Sequence, residues 1–146
     1  MGVKLAILIG AVALGSCAAT PSREPAPYLA SYRPLAPRAG EIIAYPTAAL
    51  DGRLDVVGGC FVVVSDSGEP TLVAFPPRVR VVRAAGRWGL GDAEGGHRVL
   101  QGEPIGVGGS SHASPERFIT DRFTSPPPPA SCPRALFIAN SGFGKR

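Results

Sequence analysis

Any histidine-based chemistry in this chain must run through His97 or His112, the two histidines it carries. His112 follows Gly-Gly-Ser-Ser, so Ser110 or Ser111 as nucleophile with His112 as base is an arrangement the residue types allow. The sharp strand-to-helix turn that exposes such a serine is written G-x-S-x-G, and the sequence has none there, so His112 reads as a loop residue. His97 opens a strand-like run after Gly95 and Gly96 and has no nucleophile beside it. The acids Asp51, Asp55, Asp66, Glu69, Asp92, Glu94, Glu103, Glu116 and Asp121 fall mostly at turn signals, where such side chains cap backbone amides. A glycosidase needs two carboxylates at a defined separation, and turn positions alone define no such pair. We therefore expect no enzyme, no cofactor, no metal site and no catalytic residue.

Arginine offers more. Arg78 and Arg80 alternate with Val79 and Val81, which puts both guanidinium groups on one face of a regular strand. With Arg83, Arg87 and Arg98 nearby, such a face could hold a phosphate or carboxylate, and it is equally the ordinary wet face of a half-buried strand. Trp88, the single tryptophan, sits in Gly-Arg-Trp-Gly-Leu-Gly and suits either a lid over one barrel end or an exposed binding anchor. Arg78, Arg80 and Trp88 are the candidate ligand-binding residues. The formal charge of the whole chain is only +4, carried almost wholly by arginine, and no nucleic-acid partner follows from it.

The first residues decide location. After Lys4, an apolar and small-residue run from Leu5 to Gly15 covers 11 residues, about half of the roughly 20 needed to span a bilayer as a helix. It is an export signal. Leu14, Gly15 and Ser16 stand directly before Cys17, and this order resembles the lipobox of bacterial lipoprotein precursors. The resemblance implies removal of residues 1–16, a diacylglycerol on the Cys17 thiol and an acyl chain such as palmitate on the new amino terminus. Two or three chains satisfy the requirement for more than one lipid in stable anchoring. Ala18 after the cysteine resembles the pattern sent on to the outer membrane, with the domain facing the periplasm. Cys60 and Cys132 then remain as an even pair in a compartment that permits disulfides, and a bond between them is expected.

The elements that position these residues fall into three pieces. Residues 17–40 carry five prolines and no apolar period, and read as a disordered tether reaching on the order of 60 Å. Residues 41–146 form one small, mainly β domain, a barrel or sandwich that could be of the oligonucleotide/oligosaccharide-binding (OB) type. Its expected strands are Glu-Ile-Ile-Ala-Tyr, Arg-Leu-Asp-Val-Val, a central Cys-Phe-Val-Val-Val-Ser, Thr-Leu-Val-Ala-Phe, Arg-Val-Arg-Val-Val-Arg and a last Ala-Leu-Phe-Ile-Ala-Asn, with weaker strands at His-Arg-Val-Leu and Glu-Pro-Ile-Gly-Val. Asp66 to Pro70 reads as a hairpin turn, Pro76 and Pro77 as a bend, and Gly58–Gly59 as a bulge. Ser114 with Pro115 would begin one short helix. In outline the domain loosely resembles β domains of uncharacterised envelope lipoproteins. The function expected is an anchored envelope lipoprotein that offers its domain to an envelope protein or cell-wall component. The alternative is a periplasmic module binding a small ligand, glycan or anion.

Overall fold

The computed structural model describes residues 24–34, 39–40, 48–112 and 122–144. In chain order the strands are β1 (Ala30–Ser31), β2 (Ala48–Val57), β3 (Cys60–Val64), β4 (Pro70–Phe75), β5 (Val79–Ala84), β6 (Arg87–Asp92), β7 (Arg98–Leu100), β8 (Pro104–His112) and β9 (Leu136–Gly144). There is no helix among the described residues, and the helix start expected at Ser114 lies outside them, as does the strand expected at 41–45.

Five strands close into a barrel. The sheet runs β4–β3–β2–β8–β9, and β9 returns to pair with β4. Every pair is antiparallel except β4–β9, which is parallel. Counting only barrel strands in chain order, the sequence around the barrel is 1-2-3-5-4 and back to 1. This is the topology of an OB-type barrel. Where such barrels commonly carry a helix between their third and fourth strands, this chain inserts the antiparallel meander β5–β6–β7.

The interior follows from period-2 alternation. Phe61 and Val63 of β3, Val73 and Phe75 of β4, and Phe137 and Ala139 of β9 point inward and meet Leu54, Ile105, Val107 and Phe143. Val79, Leu90 and Val99 of the meander join the same cluster, so the meander serves as the barrel's lid. Pro76 and Pro77 stand where β4 leaves the barrel, and Val79 turns back to bond the Pro76 carbonyl. Gly58 and Gly59 form no bulge: they are the two-residue β2–β3 hairpin turn, with φ of 60° and 79°. A turn of this kind needs positive φ at both positions, which glycine adopts without steric cost.

The alternate residues build a second cluster outside the barrel. Cys60, Leu72, Ala74, Leu136 and Ile138 point outward and are covered by Ala30, Tyr32 and Cys132, with Tyr28 and Phe123 packed against them. The cover is two stretches of chain. Tyr28–Tyr32 bridges the barrel strands, its Tyr28 amide bonding Gly59 and its Tyr32 amide bonding Phe75. Residues 122–126 lie over it, with the Thr124 amide on the Ser31 carbonyl and the Arg33 amide on the Arg122 carbonyl. The disulfide Cys60–Cys132 is formed and fixes this arm to the start of β3.

The tether expectation is therefore corrected over part of its length. Ala30 and Tyr32 are buried, and Tyr28–Tyr32 is a piece of the fold. The prolines that flank it, Pro25, Pro27 and Pro34, make the stretch read as a spacer, since the segment contributes alternate apolar side chains and backbone bonds over only a few residues.

Candidate functional site

A cleft opens beside the meander lid, where the β6–β7 turn faces the glycine-rich ends of β8 and β9. It measures about 520 Å³ and is lined by Arg78, Asp92, Glu94 and His97 on one side and by Gly106, Gly108, Gly142 and Gly144 on the other. Asp92 ends β6 and is buried. Its carboxylate accepts bonds from the amides of Glu94 at 3.0 Å and Gly95 at 3.3 Å, and from Arg78 Nε at 3.2 Å. Arg78 Nη1 also reaches Glu94 Oε2 at 2.9 Å. Burial would push the Asp92 carboxyl up, but the Gly95 and Glu94 amides and the Arg78 guanidinium outweigh it and hold the group below the usual carboxylate range. Gly142 has to be glycine here, since a Cβ would collide with Asp92 Oδ2.

Chemically, this corner is an electrostatic stitch. The guanidinium is shared between two carboxylates, and the buried carboxylate is satisfied by three donors. His97 stands exposed at the rim. Among the described residues no group of three histidine, cysteine or acidic side chains converges as metal ligands would.

The candidate ligand residues are not assembled into one site. Arg78 lies in the cleft, one residue before β5, while Arg80 points away from it as an exposed residue. Trp88 sits at the other end of the β5–β6 hairpin, where the register pairs it with Arg83; at the cleft end, Val79 pairs with Asp92. The indole packs against the barrel core as part of the lid, with the Arg83 guanidinium 4.7 Å from its ring centroid. Its Nε1 is buried without a hydrogen-bond partner among the described residues. The expected alternation of Arg78 and Arg80 fails as a shared wet face because Arg78 precedes the strand and turns inward to Asp92.

In OB-type barrels the outer face of the second and third strands receives the ligand. Here those strands are β3 and β4, and that face carries the second apolar cluster, already filled by the chain itself. Tyr28 Oη shares a hydrogen bond with Ser125 Oγ at 3.0 Å and donates to the Pro126 carbonyl at 2.7 Å. Tyr32 Oη donates to the Ala139 carbonyl. Burial pushes the Tyr28 phenol up, with the Ser125 bond opposing it. In the sequence Tyr28 and Tyr32 read as residues more apolar than a spacer requires, suited to transient contact with the domain or to a partner; in the structure they are fixed anchors of the fold. The chain matches no protein-family model, no curated protein and no solved structure.

Proposed function

We propose that the protein is a lipid-anchored component of the bacterial cell envelope, held by Cys17 in the outer membrane and presenting a non-enzymatic β barrel in the periplasm for interaction or envelope maintenance. The observation that carries this reading is the joint placement of lipobox and barrel. The segment that follows Cys17 enters the fold within a few residues, so an acyl chain on that cysteine would hold a closed, disulfide-stapled domain at the membrane. The disulfide agrees with an oxidising compartment. The charged groups of the cleft are committed to one another, which fits a scaffold better than a catalyst.

The test is intact mass and membrane fractionation of the wild type and Cys17→Ser. Wild type should carry the mass of a diacylglycerol and an amide-linked acyl chain and sediment with membranes. Cys17→Ser should lack both properties. A wild-type protein without acyl mass, or a Cys17→Ser protein that matures and sediments normally, removes the anchor from the account.

A second reading, a periplasmic module for a small ligand, glycan or anion, is favoured by the cleft itself, whose volume falls within the range of small-molecule sites. A thermal-shift screen of cell-wall fragments and phosphates supports it if one raises the melting temperature of wild type and leaves Arg78→Ser unmoved.

A further inference from the structure

The chain meets the domain at one defined place. Glu24 Oε2 lies 3.7 Å from Arg83 Nη2, near the β5–β6 turn. Six residues, Ala18 to Arg23, separate Glu24 from Cys17. Even fully extended, that distance spans at most about 25 Å. A lipid on Cys17 therefore keeps the meander end of the domain close to the bilayer.

The meander has two faces, and they differ in kind. Val79, Val81, Leu90, Val99 and Trp88 face the barrel. The opposite face follows from the register: Arg80 lies across from Gly91, which lies across from Arg98; Val82 lies across from Gly89, which lies across from Leu100; Ala84 lies across from Arg87. Gly91 and Gly89 leave this face bare, and neighbouring side chains close over them. A Cβ on Gly91 would stand 3.0 Å from Val82 Cγ1, and one on Gly89 would stand 2.7 Å from Leu100 Cδ2. Arg80 and Arg98 are exposed and make no ion pair among the described residues. Arg87 divides its guanidinium between the Gln101 carbonyl and Glu103. Asp92, the acid of this hairpin, shares the barrel-facing side. Leu100 and Gly89 are buried and Val82 and Ala84 half-buried, so what this face presents outward is chiefly the three arginines around a largely covered apolar strip.

We propose that this outer face of the meander is the domain's membrane-contact surface, seating Arg80, Arg87 and Arg98 against the phosphates of anionic phospholipids. It rests on the lipid anchor proposed above. Guanidinium forks match phosphate geometry, and the short leash supplies the proximity that makes a modest surface attraction effective. Each arginine near an anionic surface should change partitioning about fivefold.

The test is arginine footprinting with a dicarbonyl reagent, read by mass spectrometry, on the full mature chain in phosphatidylcholine vesicles with or without phosphatidylglycerol. Arg80 and Arg98 should react at least about fivefold more slowly when phosphatidylglycerol is present, while Arg134 on the covering arm reacts equally in both. Equal reactivity of Arg80 and Arg98 in the two vesicles, or slowing at Arg134 instead, overturns the proposal. The same spectra report whether Cys17 carries acyl mass, so the anchor is scored separately. If it carries none, the unlipidated chain is sedimented with the same vesicles. Binding to phosphatidylglycerol vesicles that falls about 30-fold in Arg80→Ser/Arg98→Ser sustains the surface, and binding unchanged by that variant overturns it.

Discussion

The barrel's inner and outer apolar clusters share the same three strands and are held by different means. Inside, four phenylalanines and a ring of branched aliphatics fill the space, with Phe75 and Phe143 packed edge to face at 5.9 Å between centroids. Such a core needs only shape and area. Outside, the strand residues are small or aliphatic, namely Cys60, Leu72, Ala74, Leu136 and Ile138, and their cover arrives from two segments joined by side-chain hydrogen bonds across 94 to 98 residues of sequence. Among the described residues, the outer ones are as deeply buried but fewer, eight against thirteen inside. Tyrosine hydroxyls, backbone bridges and a disulfide complete the closure. One face of a strand can therefore be secured by packing and its other face by staples.

The largest effect expected falls on the inner cluster. Phe137→Ala, at a fully buried ring, should cost about 3–5 kcal/mol in urea unfolding. If it costs no more than a surface substitution, the barrel interior is not where the stability lies. Next is the staple. Cys60→Ser/Cys132→Ser opens a loop of 72 residues and should cost about 2–4 kcal/mol. Its loss should appear first as fast amide exchange over Tyr28–Tyr32, with β2 and β8 still protected. Uniform loss across all strands would mean that the two clusters are one cooperative unit. Tyr32→Phe removes the buried bond to the Ala139 carbonyl, a cost of about 1 kcal/mol, again concentrated in the outer cluster.

The smallest effect belongs to the cleft and carries a pH signature. Because the Asp92 carboxyl is held below its ordinary value of 3.8, its contribution is fully present above that pH. It disappears as pH falls through the lower folded-state value. Asp92→Asn should be about 1 kcal/mol less stable than wild type at neutral pH, and the gap should close in strong acid. A gap that is constant with pH would assign the effect to shape instead of charge.

How much was legible follows the same division. The inner strands β3 and β4 were readable because Cys-Phe-Val-Val-Val and Thr-Leu-Val-Ala-Phe are dense in β-branched and aromatic residues between turn signals. β6 and β8 were read short or as loops because Gly89, Gly91, Gly106, Gly108 and Gly109 supply no side chain to alternate. Their pairing is fixed by strands elsewhere in the sequence, β2 and β9 for β8, and β5 and β7 for β6. The cleft was half legible: Arg78 was singled out, but its partners Asp92 and Glu94 lie 14 and 16 residues away and meet it only through the hairpin register. The disulfide was expected from cysteine number and compartment, and the structure places it between β3 and the covering arm. Tyr28 and Tyr32 stand out in the sequence as more apolar than a spacer requires, which suits a docked partner or transient contact with lipid headgroups or the domain; their fixed place is set by a barrel face that only the folded strands create.

Tyr28–Tyr32, which follows the candidate lipid site, belongs to the domain. Native-state hydrogen exchange of the mature protein tests this placement most directly, read at the amides of Tyr28 and Tyr32, which donate to Gly59 and Phe75. In the disulfide-bonded protein both amides should exchange as slowly as those of β3 and β4. Exchange at free-peptide rates for both amides would contradict this placement and return residues 24–34 to the tether.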